Sequence, residues 1–106
     1  MHVGLCEITL RLPPGVKSLK DKRSIVRKIT HRIRNRHPVS MAETGDADVR
    51  DRAKLGFAIV GQDRNTLDGQ IDRALAEIRE LYLAQVIHVE REIFAWTEGY
   101  DHHELF

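Results

Sequence analysis

A chain of 106 residues with 42% hydrophobic and 31% charged side chains has the composition of one globular domain, not of a disordered polyampholyte, and it can bury a core without disulfides or metals to staple it. Its single cysteine excludes an intramolecular disulfide, which fits a reducing compartment, and no apolar run reaches the length needed to cross a bilayer. The net charge of +1 hides a division. Nine Lys or Arg against one acid from Lys17 to His37 give +8, whereas eight basic against fifteen acidic residues elsewhere give −7.

The stretch His2 to Leu12 alternates, with Gly4, Cys6, Ile8, Leu10 and Leu12 on one side and Glu7, Thr9 and Arg11 on the other. This predicts a half-buried strand and not a signal peptide, because no basic leader precedes it. Pro13, Pro14 and Gly15 end it. Ser18 then opens a helix: S-x-x-D at Ser18 to Asp21 approximates a capping box. Lys22, Ile25, Val26, Ile29 and Ile33 share one face of that helix. Lys20, Arg23, Arg27 and Arg34 lie near the opposite side with His31, and Lys28, Arg32 and Arg36 flank the core face. His37-Pro38 ends the helix.

Val39 to Glu43 reads as a short strand, Gly45 to Asp51 as a polar turn, and Ala53 to Gly61 as a third strand. A second helix is expected after Asn65, with Leu67, Ile71, Ala74, Leu75, Ile78 and Leu81 as its apolar stripe. Gln85 to Trp96 is the last strand. The order β-α-β-β-α-β predicts a ferredoxin-like α+β sandwich, a four-stranded antiparallel sheet with two helices on one face. The domain is expected to span residues 1–96, with 97–106 as an aromatic and His-containing tail.

Three blocks carry a resemblance. S-L-K-D-K-R at Ser18 to Arg23, V-S-M-A-E at Val39 to Glu43, and D-x-x-x-R-A-x-L-G at Asp48 to Gly56 resemble the YlxP-like family of small bacterial proteins, also catalogued as a domain of unknown function. The resemblance covers roughly residues 1–95. It implies a ferredoxin-like fold and a bacterial, cytoplasmic protein. Family members are often encoded near translation initiation and ribosome maturation factors, which associates them with RNA or the ribosome. The family has no catalytic residues to carry over.

Each candidate feature has a plain structural alternative. The basic helix could meet successive phosphates of a nucleic acid, or its charges could be solvated or paired with acids such as Asp68, Asp72, Glu77 and Glu80. Like charges at i,i+3 and i,i+4 oppose the helix, and a compensating anion would explain why they are tolerated. Gly56 to Val60 resembles part of the RNA-recognition-motif signature. However, Phe57 is the only aromatic there, so Leu55, Phe57 and Ile59 are expected to be core. The D-x-D at Asp46 to Asp48 fits Asx chemistry in a turn better than a metal site. Cys6 falls on the apolar face of the first strand and reads as inert core. Phe94, Trp96, Tyr100 and Phe106 hold four of the six aromatics and, with the open sheet face, could form a homodimer contact. His102 and His103 are too close together for a shared metal.

No nucleophile elbow, P-loop or dinucleotide fingerprint is present, and no cofactor is implied. The reading is a non-catalytic, translation-associated protein. Its first helix binds RNA phosphates through Lys17, Lys20, Arg23, Arg27, Lys28 and Arg34. A self-associating protein, dimeric through the open sheet face and the tail, is the alternative.

Overall fold

The computed structural model describes residues 1–97, and the six expected elements appear in the expected order. They are β1 (His2–Arg11), α1 (Leu19–Arg36), β2 (Ser40–Gly45), β3 (Arg52–Gly61), α2 (Arg64–Glu80) and β4 (Gln85–Ala95). The strands form one sheet in the order β2-β3-β1-β4, every neighbouring pair antiparallel. This is the ferredoxin-like α+β arrangement. Tyr100, His102, His103 and Phe106 lie outside the described residues.

Alternation along β1 decides what faces the helices. Cys6, Ile8 and Leu10 are buried, whereas Leu5 and Arg11 on the other side are exposed. In β3 the buried set is Ala53, Leu55, Phe57 and Ile59, so Phe57 is core and not a platform for bases. Ile8, Leu10, Leu55, Ile33, Leu67 and Ile71 are each 0% exposed and belong to one apolar cluster. Full burial of one such side chain stabilises the fold by about 1.5–3 kcal/mol. Gly4 lets α2 come down onto β1: a Cβ there would lie 2.9 Å from Ile59 Cγ2 and 3.1 Å from Ile71 Cδ1.

The helices start where side chains satisfy their free N–H groups. Ser18 Oγ accepts from Asp21 N at 3.0 Å, as the capping signal predicts. For α2 the cap is Asp63, two residues before the expected start, and its carboxylate accepts from Thr66 N at 2.8 Å. That backbone N–H, with the Thr66 hydroxyl next, holds Asp63 below its ordinary pKa. At the other end of α2, Tyr82 has a left-handed backbone (φ 53°), a conformation that usually selects glycine.

The sheet's second face is uncovered by any described element. Val3 stands opposite Val60 and Phe94 in the register, and with Leu5 they make an apolar end to this face. Leu5, Val60 and Phe94 are 42%, 63% and 36% exposed. Beside it, a depression of about 700 Å³ over Ala42, Gly56 and Ala58 is rimmed by Glu7, Glu90 and Glu92. Among the described residues no helix is long and apolar enough to cross a membrane.

Candidate nucleic-acid interface

The cations of the Lys17 to His37 run have three different fates. The first is burial. Lys22, which the periodicity places on the apolar stripe, is 1% exposed. Its Nζ donates to the carbonyl oxygens of Asp46 and Val49, the latter at 2.7 Å, and stands 3.4 Å from Glu43 Oε2. An ammonium withdrawn from water needs such partners. The turn after β2 supplies them by curling its main chain over the lysine, with Asp46 in a left-handed conformation (φ 58°). The D-x-D turn is therefore organised differently from the Asx expectation: its main-chain oxygens, not its carboxylates, hold it to α1 through Lys22.

The second fate is pairing. Glu77 of α2 receives Arg36 Nε at 3.3 Å, Arg32 Nε at 4.0 Å and His37 Nε2 at 2.9 Å. One half-buried carboxylate thus ties the α2-facing flank of α1 to its neighbour. Of the other acids considered as partners for the basic helix, Asp68 and Asp72 are engaged elsewhere, where Arg91 of β4 reaches them at 2.5 and 2.6 Å, and Glu80 pairs with no cation of α1 among the described residues. Burial opposes the Arg91 charge, but hydrogen bonds to Asp72 and Asp68 prevail and raise its pKa.

The third fate is exposure. Lys17, Lys20, Arg23, Arg27, Lys28 and Arg34 are all exposed, and none of their side-chain cations has a carboxylate partner among the described residues. Lys20 and Arg27 fall on the side of α1 opposite its buried residues Val26, Ile29 and Ile33, and Arg23 lies on the flank in line with buried Thr30. Arg34 is the one that is partly committed, because its Nη1 donates to the carbonyl of Met41 in β2 at 3.4 Å. This stripe therefore runs beside the β2 edge of the sheet. His31 sits on the same side, with Nε2 3.0 Å from Asn35 Nδ2.

Elsewhere the chemistry is muted. Burial pushes the Cys6 thiol up to about 11, against the lowering pull of Arg91 and Arg79, so it carries no thiolate at neutral pH.

Residues 3–91 match the family described as "Protein of unknown function (DUF503)". The chain belongs to this family. It is 36% identical over 61 residues to the uncharacterized protein YlxP of Bacillus subtilis (strain 168), an alignment that spans 58% of this chain and 66% of that protein. The Ser18 to Arg23 motif therefore points to the correct, YlxP-like family. Among solved structures, protein YJCS from structural genomics is similar with a TM-score of 0.55 at 8% identity, covering 85% of this chain and 96% of that one. This likeness is one of fold alone. Protein At3g17210 of Arabidopsis thaliana gives a TM-score of 0.45 at 10% identity over 91% of this chain and 98% of its own.

Proposed function

We propose that this DUF503 member is a non-catalytic, cytoplasmic, translation-associated protein whose α1 binds RNA through its phosphates. The observation that supports the reading is the split within α1. The fold supplies acceptors for Lys22, Arg32 and Arg36 and leaves Lys17, Lys20, Arg23, Arg27 and Lys28 facing water. A polyanion gains affinity from such a row by releasing its condensed counterions, without needing base contacts. The burial of Phe57 fits backbone binding by α1 better than base readout on the sheet. The association of the family with genes for ribosome maturation and translation initiation favours RNA over DNA as the polyanion.

Co-purification from cells at low salt tests this. RNA should accompany the protein from untreated lysate and be lost after RNase treatment. An equally RNA-free protein from both lysates would contradict the reading.

A second reading, a homodimer through the open sheet face, is favoured by one feature, the apolar end at Leu5, Val60 and Phe94. The Glu7, Glu90 and Glu92 rim opposes it, because two such faces brought together would set carboxylates against carboxylates. Light scattering on the wild type and on Val60→Glu decides it: a dimer that the substitution splits supports this reading, and a monomer in both cases removes it.

A further inference from the structure

The turn that follows α2 meets the Pro13-Pro14 turn that follows β1, and between them lies a depression of about 620 Å³. Arg11 and Arg79 line it, Pro13, Pro14 and Leu83 give it apolar walls, and no carboxylate lines it among the described residues. Tyr82 stands at its edge, 88% exposed. Its position is one where a helix end ordinarily takes glycine: the backbone is left-handed at φ 53°, and Tyr82 N bonds back to Arg79 O at 3.3 Å. A bulky aromatic in that conformation, pointing at water, contributes little to the core and strains the turn. A role at the surface accounts for it.

The depression is also connected to α1. It shares Arg11, Leu12, Pro13 and Pro14 with a smaller hollow of about 310 Å³ that Arg50 and Arg52 line, together with Asp51. Arg50 Nη1 in turn donates to the carbonyl of Lys17 at 3.4 Å, immediately before the first turn of α1. Cations therefore follow one another from Lys20 through Lys17, Arg50 and Arg11 to Arg79.

We propose that the depression at Tyr82 is a subsite for one unpaired nucleotide of single-stranded RNA, with the base stacked on the Tyr82 ring and its phosphate held by Arg11 and Arg79. The inference rests on the RNA reading of α1 for the path that delivers the strand. It makes the protein one that prefers RNA with an accessible single-stranded end or loop over an uninterrupted duplex, because a paired base has no face free to stack.

The test is an NMR titration of the full chain with a single-stranded RNA trinucleotide, alongside binding of a short blunt RNA duplex. The trinucleotide should move the amides of Tyr82, Leu83 and Ala84. Its affinity should fall roughly tenfold or more in Tyr82→Gly, be largely kept in Tyr82→Phe, and fall several-fold in Arg11→Gln and Arg79→Gln. Tyr82→Gly suits the left-handed backbone, so a folding defect does not confuse the result. Duplex binding should be unchanged in Tyr82→Gly and weakened when Lys20, Arg23 and Arg27 become Gln. Trinucleotide binding that leaves the amides of Tyr82, Leu83 and Ala84 unmoved, no binding at all, or Tyr82→Gly binding like wild type would overturn the subsite. If duplex binding survives the α1 changes while Tyr82 behaves as described, the subsite stands and the α1 reading falls.

Discussion

On the inner side of α1, Lys22 is 1% exposed and its ammonium is enclosed by the carbonyls of Asp46 and Val49 and by Glu43. On the outer side, its sequence neighbour Arg23 is exposed and meets no carboxylate among the described residues. Both belong to the same basic run, and composition alone treats them alike. What separates them is whether the tertiary fold brings acceptors to the helix. Acceptors arrive from the β2–β3 turn for Lys22 and from α2 for Arg32 and Arg36, and among the described residues none reaches the side chains of Lys20, Arg23 and Arg27. Charge that the fold neutralises is structural. Charge that it leaves open is available to a partner.

The comparison can be broken at its inner side first, where the effect is largest. Lys22→Met keeps the apolar stem but leaves three carbonyls and a carboxylate without their cation. It should cost about 3 kcal/mol and lower the melting temperature by roughly 15 °C, measured by thermal denaturation. A loss within 0.5 kcal/mol would mean that the turn does not depend on Lys22.

The paired flank sharpens the contrast. Glu77→Gln frees Arg32 and Arg36, which are 48% and 58% exposed, so solvent already weakens these pairs. The expected destabilisation is therefore only about 1 kcal/mol. RNA binding at low salt should tighten by about two- to fivefold, because one carboxylate is lost and two cations on the α2-facing flank of α1 are freed. Weaker binding in this variant would argue that Arg32 and Arg36 act through their pairing, not through their charge.

The smallest effect concerns Cys6. Its folded pKa of about 11 lies above the ordinary value of 9.0, so its favourable contribution is intact below pH 9 and is lost as pH rises from 9 towards 11. Native protein at pH 8 should react with a thiol reagent only as fast as it unfolds. Stoichiometric labelling within seconds would show that the strand does not bury the thiol.

Much of this architecture is written locally. The alternation of β1, the cap at Ser18 and the apolar stripe of α1 each depend on residues a few positions apart, and each element appears where they place it. The register of β3 follows in the same way, which is why Phe57 is correctly expected inside. The start of α2 is displaced because Asp63, not Asn65, takes the cap, and both residue types suit that position. The β2 strand extends past Glu43 to Gly45 through an irregularity in its pairing with β3, which no local pattern marks.

The site is legible in part. The exposure of Lys20, Arg23, Arg27 and Arg34 follows from helical geometry, whereas Lys17 precedes the helix and Lys28 flanks its core face. The sorting of the rest does not, because the acceptors of Lys22 lie more than twenty positions away and Glu77 lies 40 positions from His37. A lysine on an apolar stripe is the signal that something must come to meet it. The left-handed backbone of Tyr82 has no signal at all, since the usual marker for that conformation is a glycine.

The central claim is that the outer stripe of α1 is a phosphate-binding surface, and the salt dependence of RNA affinity tests it most directly. Fluorescence anisotropy across a salt series should give a steep slope of log affinity against log salt for the wild type. The slope should be shallower by about two to three units when Lys20, Arg23 and Arg27 are replaced by Gln, with the melting temperature unchanged or slightly raised as like-charge repulsion is relieved. The same slope in both proteins would contradict the account.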